Sequence, residues 1–507
     1  MWSPVSTVWA KSNLPSSLTR PRLTRPIVRW LFAFGVAAII LETFKPTVGS
    51  KLHQMQKVGK VAKEMLMCAF HMNCVAHQSQ GLWRHPRDTS QQFNSMAYWQ
   101  QLAKTLERGL FDGIFLADVS GVYDVYAGSP DAALRAAMQI PTNDPFTLVP
   151  VMASVTQNLC FGVTGSIPYE PPYSFARKIS SLDHLTDGRM GWNIVTGYLD
   201  SAAKGIGQNK KKAHDTRYEI AHEYMRVVYG LWQSSWDDDA VIRDREKGIF
   251  TDPEKVRPVK HDGEYFKLNA IHLCEPSPQR TPVLFQAGTS PKGQAFAGEH
   301  AECVFIGGNS PQQHSKSVES LRAQALVNGR KAEDLKIFGA ITVIVGQTDA
   351  EALEKLADYK QYGLHEGALA LLSGWMGTDL STLDLDAKIT EVKSDAIQFA
   401  LAGNETATVR QWASGLAVGG AGPVISGSPE SVANQLNDWF TTSGLDGFNL
   451  AYTVMPECVE DFVDLVIPQL QEMGVFKASY RRGSFREKLF GRSARLTAPH
   501  VGSTYTR

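Results

Sequence analysis

The chain has 507 residues, of which 43% are hydrophobic and 20% charged, a composition typical of a soluble globular protein. Lysine plus arginine and aspartate plus glutamate both total 51, so the formal net charge is zero. This balance argues against nucleic acid or an acidic membrane surface as the main partner. The six cysteines are scattered and form no C-x-x-C pair, which favours a reducing, intracellular compartment over a disulfide-built secreted scaffold.

The first 63 residues differ in composition from the rest of the chain. Basic residues, serines, threonines and prolines precede the first acidic residue, Glu42. This pattern is typical of an organellar transit segment, which would make the protein mitochondrial rather than cytoplasmic. A membrane-proximal anchor, a disordered extension and a mis-assigned start are the alternatives. The apolar run over residues 30–41 is shorter than the roughly 20 residues that a membrane-spanning helix needs.

Eight short apolar segments, rich in β-branched or aromatic residues, are predicted to be strands. They cover residues 65–70, 113–117, 159–164, 190–195, 283–287, 303–306, 337–345 and 447–450. Helical patterns, such as those over 96–108 and 218–232, separate them. Strands that alternate with helices indicate a parallel sheet, and eight of them favour an α/β fold, a (β/α)8 TIM barrel with long insertions in the βα loops.

The helix–turn–strand unit of such a barrel is clearest over residues 175–196. A turn is expected at Asp187 and Gly188, and the strand that follows ends at the polar Thr196. The preceding helix is indicated by an apolar stripe made by Phe175, Ile179, Leu182 and Leu185.

Three segments, 119–144, 197–282 and 346–427, exceed ordinary βα-loop length. Loops of that size are typical of lids, binding walls or oligomer contacts. We predict three regions in all: an N-terminal extension over 1–63, one catalytic barrel domain over 64–491, and a C-terminal tail over 492–507.

Polar residues crowd the end of the first predicted strand, where His71, Cys74, His77 and His85 follow one another. The spacing H-x5-H-x7-H matches no known set of zinc ligands, so no metal site is predicted. Cys74 could be a nucleophile if a helical segment brought His77 within reach as its base. The alternatives are a polar rim around a redox cofactor and, for Cys74, a small buried apolar residue.

Other strand ends carry residues suited to hold a ligand. Asp118 follows the second strand and Thr164 ends the third. The fifth strand runs into Gly288, Thr289 and Ser290 just before a predicted helix. This combination, the predicted phosphate cradle, can hold a phosphate, because glycine lets a ligand approach the backbone closely and the start of a helix offers free N–H groups. Arg217 and Tyr218 precede another helix, where a guanidinium and a phenol would suit the same phosphate group.

No G-x-G-x-x-G motif joins a strand to a helix, so the usual mark of a Rossmann dinucleotide site is missing. The run 181–189, Ser-Leu-Asp-His-Leu-Thr-Asp-Gly-Arg, instead resembles the bacterial-luciferase-like flavin monooxygenases. The chain is similar to the nitrilotriacetate, dibenzothiophene-sulfone and long-chain-alkane monooxygenase branch of that family. Further matching runs lie at 72–75, 81–86, 115–119, 123–126, 240–244, 272–280 and 446–450.

The resemblance implies a barrel that binds reduced FMN supplied by a separate NAD(P)H-dependent flavin reductase. It further implies that O2 is activated as a flavin C4a-hydroperoxide, which oxygenates a small organic substrate such as an alkane, sulfone or amine, and that the protein is a homodimer or larger. The implied flavin contacts are Asp118, Thr164, Tyr218 and Ser290, next to Gly288 and Thr289. The implied catalytic and pocket residues are Cys74, His77, Tyr123, Gln139 and Arg217.

The chain departs from the alkane pattern at two positions. Tyr198, at the flavin site, and Ala368, near the substrate, each stand where the resemblance predicts a histidine. Two other functions therefore stay open. One is a flavin-binding protein without turnover, and the other is a deazaflavin- or nicotinamide-dependent oxidoreductase on the same barrel.

Overall fold

The computed structural model describes residues 63–288, 290–391 and 407–506. All eight predicted strands are present, with ends shifted by at most two residues. In chain order they are β1 Leu66–Met72, β2 Gly113–Ala117, β3 Cys160–Ser166, β4 Met190–Val195, β5 Val283–Gln286, β6 Cys303–Ile306, β7 Lys336–Val345 and β8 Gly447–Ala451.

The eight strands close into a parallel barrel, as the sequence predicts. Each strand pairs with the next along the chain, and β8 pairs with β1. The ring is completed where Leu66 of β1 pairs with Gly447 of β8 and where Cys303 of β6 pairs with Lys336 of β7. Because all strands run the same way, their carboxyl ends meet at one mouth, which is where barrels carry their chemistry.

Helices surround the barrel and fill the insertions. They are α1 Met96–Arg108, α2 Asp131–Ala136, α3 Leu148–Ala153, α4 Pro172–Leu185, α5 Asp200–Gly205, α6 His214–Tyr229, α7 Pro291–His300, α8 Pro311–Val327, α9 Asp349–Tyr362, α10 His365–Met376, α11 Val409–Leu416, α12 Pro429–Ser443, α13 Glu457–Asp461, α14 Ile467–Glu472 and α15 Phe485–Phe490. A π-helical stretch, Gly230–Ser234, continues α6. One expectation is wrong: Leu185 at the end of α4 is 69% exposed, because the helix ends there and its last turn projects beyond the apolar layer.

The insertions contain short strands that the sequence did not predict. Val241–Asp244 pairs antiparallel with Ile249–Thr251, and Val259–Asp262 pairs antiparallel with Lys267–Ala270. Val424–Gly427 adds to β7 in parallel outside the barrel ring.

The barrel interior is a packed core and not a channel. Phe115, Phe285, Phe305 and Phe338 meet inside it, and Phe485 of α15 packs against them. The stacked rings of Phe285 and Phe305 lie 5.4 Å apart. Apolar packing on both faces of the strands makes the barrel a rigid platform, so a ligand has room only above the core, at the carboxyl ends of the strands.

The two ends of the chain were predicted to lie outside the catalytic domain. Residues 1–62, which carry the predicted transit segment, lie outside the described part. Residues 492–506 run along the barrel, where Nε2 of His500 lies 2.9 Å from the carbonyl oxygen of His300. Within the residues that the structure describes, no helix combines the length and apolar character needed to cross a membrane. The domain boundaries and the compartment stay predictions.

Candidate active site

A cavity of about 290 Å3 opens at the carboxyl ends of β2 to β5. Asp118, Ser166, Tyr198 and Gln286 line it from the strand ends, and the start of the 197–282 insertion adds further polar side chains. A second cavity of about 410 Å3 adjoins the first and shares Asp118 and Ser166 with it. The mouth thus offers a continuous concave space of the size that small-molecule ligands occupy.

Residues of the predicted phosphate cradle lie at one wall of this space, where Arg217, Tyr218 and Gly288 line the cavity. Ser290 caps α7, and its Oγ accepts a hydrogen bond from the Gly293 N–H at 3.1 Å. Nε2 of His214 lies 3.2 Å from the same oxygen, and the Tyr218 hydroxyl also hydrogen-bonds the Ser290 side chain. The start of α7 therefore presents backbone N–H groups, a hydroxyl and a phenol together, which is the donor set that a phosphate needs.

Gly288 fits this cradle because a side chain there would fill it. A Cβ at Gly288 would lie 2.1 Å from Nε2 of Gln286 and 2.9 Å from the Tyr218 hydroxyl. Arg217 completes the wall: burial lowers the pKa of its guanidinium, and its Nε has no hydrogen-bond partner among the described residues. A guanidinium aimed into a cavity without a counter-charge is suited to an anionic ligand group. Thr289, the remaining predicted cradle residue, lies outside the described residues.

Several buried polar atoms at the mouth have no hydrogen-bond partner among the residues that the structure describes. Thr164 accepts a hydrogen bond at Oγ1 from Nδ2 of Asn193 at 3.0 Å, but Oδ1 of Asn193 is left over. Oγ of Ser166 and Oε1 of Gln286 are likewise buried and, in the part of the chain that the structure describes, unpaired. Buried polar groups are rarely left unsatisfied. Their grouping around one cavity fits a polar heterocycle such as a flavin ring.

Asp118 lies where the two cavities meet. Burial, together with the nearby charges of Asp144 and Glu170, raises the pKa of its carboxyl to about 7. The side chain can therefore hold or release a proton near neutral pH, facing the position that the resemblance assigns to the flavin.

On the other side of the mouth, the structure joins four of the predicted residues in one hydrogen-bonded chain. The Tyr123 hydroxyl donates to Oε1 of Gln139 at 3.1 Å and also bonds the Tyr198 hydroxyl. Nε2 of Gln139 in turn donates to the His77 carbonyl oxygen at 3.0 Å. Because Tyr198 also lines the first cavity, this chain connects the predicted catalytic pocket to the cradle side.

Helix α10 from the 346–427 insertion closes this side. Trp375 lies within hydrogen-bond reach of both phenols. Two glycines on one face permit the helix to approach closely: a Cβ at Gly374 would lie 2.1 Å from the Tyr123 ring, and one at Gly367 would lie 2.6 Å from Cβ of Ala136. Apolar side chains dominate the packing here, so the wall of the pocket is mainly hydrophobic.

His77 and Cys74 do not form the catalytic pair that a helical segment would have produced. Residues 73–80 are irregular, and the imidazole of His77 contacts Gln78 and the rings of Phe70 and Tyr452. Burial raises the pKa of the Cys74 thiol, so a nucleophilic thiolate is disfavoured at neutral pH. The helical segment on which the nucleophile interpretation of Cys74 depended is not present, and the alternative of a small buried side chain fits the structure; the role of Cys74 in the pocket stays a prediction. Burial also lowers the pKa of His77 to about 3, which keeps its imidazole neutral.

The other two histidines of the first strand end lie against different residues, and His71 shares Tyr452 with His77. His71 stacks on Tyr452 with ring centroids 4.5 Å apart, and Nε2 of His85 lies 2.9 Å from Oδ2 of Asp358. Sequence reasoning missed three residues of the mouth: His214, Gln286 and Trp375. His214 could have been found, since it lies one helical turn before Tyr218, whereas Trp375 arrives from an insertion about 250 residues along the chain from Tyr123.

Comparison with known proteins agrees with this geometry. The luciferase-like monooxygenase family matches residues 69–447. The chain belongs to this family. It is 47% identical to the dimethyl-sulfide monooxygenase of Hyphomicrobium sulfonivorans, over 87% of this chain and 94% of that protein. It is 45% identical to the long-chain alkane monooxygenase of Geobacillus thermodenitrificans, over 88% of this chain and 98% of that protein.

Solved structures give the same result. The crystal structure of the Hyphomicrobium enzyme matches with a TM-score of 0.85 over 87% of this chain and 96% of that one. The crystal structure of a long-chain alkane monooxygenase matches with a TM-score of 0.81 over 87% of this chain and 99% of that one. The family, the branch and the barrel predicted from the sequence are confirmed, and the chain is a flavin-dependent monooxygenase.

Proposed function

We propose that this chain is the oxygenase of a two-component system. It would bind reduced FMN made by a separate NAD(P)H-dependent flavin reductase and use O2 to oxygenate a small, largely apolar organic substrate. One observation carries the proposal: the residues of the predicted phosphate cradle and a buried chain of hydrogen bonds lie at the same barrel mouth, and Tyr198, a member of that hydrogen-bonded chain, lines the cavity that Arg217 and Tyr218 also line. A relative named nitrilotriacetate monooxygenase component A, 32% identical over 81% of this chain, supports a divided system.

The residues that would hold the cofactor follow from the unsatisfied groups. Arg217, Tyr218 and Ser290 would bind the phosphate, since Tyr218 meets Ser290 at the start of α7 and Arg217 lines the same cavity as Tyr218. Asn193 and Ser166 would bond the polar edge of the ring. Reduced FMN supplies the electrons for O2 activation, while the protein orients the reactants. Water must be kept out to favour oxygenation over release of hydrogen peroxide.

The hydrogen-bonded chain supplies orientation at the oxygenation side. Tyr123, Gln139 and Tyr198 hold one another, so their polar atoms are preorganised. His77, whose imidazole is neutral at working pH, would offer a hydrogen bond without carrying a charge. The Arg217 guanidinium would add a positive charge from the cradle side. Helix α10 and the 119–144 segment cover this region and would exclude water.

The substrate is expected to be small and mostly apolar. Ala368, which stands where a histidine is expected, is buried on α10, so a polar side chain is missing from this wall. The names of the two relatives concern a sulfide and an alkane, and both classes suit a hydrophobic pocket with few polar groups. An organic sulfide, an alkane, a sulfone and an amine are therefore the compounds to test.

The decisive experiment combines the purified chain with FMN, a flavin reductase, NADH and a panel of these compounds under air. We expect oxygenated product from at least one class, formed in step with O2 consumption. Product should fall relative to hydrogen peroxide in His77→Ala and Arg217→Ala, but not in His184→Ala, which changes an exposed histidine on α4.

Three outcomes would contradict the proposal. Tight FMN binding without turnover of any compound would indicate a flavin-binding protein. Reduction of a substrate by a reduced deazaflavin or nicotinamide without O2 uptake would indicate the other oxidoreductase. Unchanged product yield in both His77→Ala and Arg217→Ala would remove the roles assigned to those side chains.

A further inference from the structure

Outside the flavin cavity, three side chains with metal-binding atoms converge between α6 and α7. Nδ1 of His222 lies 3.0 Å from Nε2 of His300. The Glu299 carboxylate approaches both rings, at 3.6 Å from Nδ1 of His222 and 3.5 Å from Nε2 of His300. Around a tetrahedral ion bound at about 2.0–2.1 Å, ligand atoms stand about 3.3 Å from one another. The three observed distances bracket that value.

The contact between the two imidazoles joins one ring nitrogen of each, so in the absence of an ion one nitrogen donates a proton to the other. A bound ion would take the place of that shared proton, with both nitrogens as ligands.

The surroundings of His300 resemble the support of a metal ligand. Its other nitrogen, Nδ1, lies 3.2 Å from the Tyr229 hydroxyl, which would fix the ring orientation. His300 is buried, whereas His222 and Glu299 each keep 35% of their side chains exposed. The cluster is therefore anchored on its inner side and open to solvent on its outer side, where a fourth ligand or water could bind.

The donor set selects the kind of ion. Two imidazole nitrogens and one carboxylate suit zinc, nickel or copper, while magnesium and calcium prefer oxygen ligands. The charges of Arg226 and Lys292 act on His222 and oppose a cation, whereas the charge of Glu299 favours one. We expect a reversible site and not one on which folding depends.

We propose that His222, Glu299 and His300 bind one divalent ion of the zinc class. The ion would join α6, which carries Tyr218, to α7, which begins at the Ser290 cap. Phe296 lies between the proposed ion site and the cradle: its ring centroid is 5.0 Å from that of His222 and 5.7 Å from that of Tyr218. Binding would therefore stabilise the two helices that form the cradle.

The test uses the untagged full chain after treatment with a chelator. Calorimetric titration with ZnCl2 should show one ion per chain, and thermal unfolding should show a Tm that rises and saturates with Zn2+ but does not respond to Mg2+. Co2+ should give the visible absorption of a four-coordinate site. His222→Ala and Glu299→Gln should each weaken Zn2+ binding about tenfold or more, and His184→Ala should leave it unchanged.

Glu299→Gln keeps the size and exposure of the side chain, so its result does not depend on altered folding. Absence of Zn2+ binding in the parent chain would overturn the proposal. Equal Zn2+ affinity in the parent chain, His222→Ala and Glu299→Gln would overturn it as well, because the ion would then lie elsewhere.

Discussion

Replacing Gly288 with alanine should damage the cradle while leaving the fold intact. The new methyl would lie 2.1 Å from Nε2 of Gln286 and 2.9 Å from the Tyr218 hydroxyl. The Gln286 amide can swing away, but the Tyr218 ring packs on Phe296 at a centroid distance of 5.7 Å and has little room to retreat. The phenol would therefore be pushed off the position from which it meets Ser290 and the phosphate.

The size of the effect follows from the bond lost. A hydrogen bond to a charged group contributes about 1.5–3 kcal/mol, and each 1.4 kcal/mol is about tenfold in affinity. We expect the Kd for FMN to rise about ten- to hundredfold, measured by quenching of flavin fluorescence. The control is Gly307→Ala after β6, where an added Cβ meets nothing within 4 Å. A Kd for Gly288→Ala within about twofold of the parent, or an equal loss in Gly307→Ala, would refute the reasoning.

Three further predictions concern other parts of the molecule. Tyr123→Phe leaves Oε1 of Gln139 without its donor, at a cost of about 1–3 kcal/mol, and should raise the yield of hydrogen peroxide at the expense of oxygenated product. An unchanged ratio of peroxide to product would argue against a role for the hydrogen-bonded chain of Tyr123, Gln139 and Tyr198. Asp118 holds its proton more tightly in the folded state than in the unfolded state, since its pKa is raised to about 7. The flavin-free protein should therefore lose stability relative to Asp118→Asn as pH rises from about 4 to about 7. Unfolding free energies from urea titrations that change equally with pH in the two proteins would contradict this. The buried Arg486 guanidinium is bonded to both Glu302 oxygens, at 2.6 and 2.8 Å, and Glu302→Gln would leave it without its counter-charge. The expected loss of unfolding free energy is about 3–5 kcal/mol, which corresponds to a fall in Tm of about 3–5 °C for roughly 440 residues. Calorimetry that shows no shift in Tm would mean that the pair is not stabilising.

The barrel could be read from the sequence because its strands are short, apolar and bounded by turns. The turn after α4 is one example: Asp187 and Gly188 have φ values of 52° and 77°, a backbone that favours such residues. The Ser290 cap was predictable for a similar reason, since serine followed by proline marks a helix start independently of tertiary structure.

Features that depend on distant packing could not be predicted from the sequence. The sequence places Cys74 and His77 three residues apart, but whether they pair depends on the local backbone, and that segment proved irregular. The closure of α10 over Tyr123 brings together residues from two insertions, which no local pattern reveals. The cluster of His222, Glu299 and His300 likewise joins two helices whose relative position depends on the closed barrel.

Gly367 and Gly374 set how closely α10 approaches the substrate side, and they belong to a different insertion from the residues of the cradle. A larger side chain at either position would move the helix outward and enlarge the space above Tyr123 without altering Gly288, Ser290 or Arg217. Substrate range and cofactor affinity are thus adjustable at separate positions. An enzyme built in this way could acquire a new substrate through single substitutions in one helix while keeping the same source of electrons.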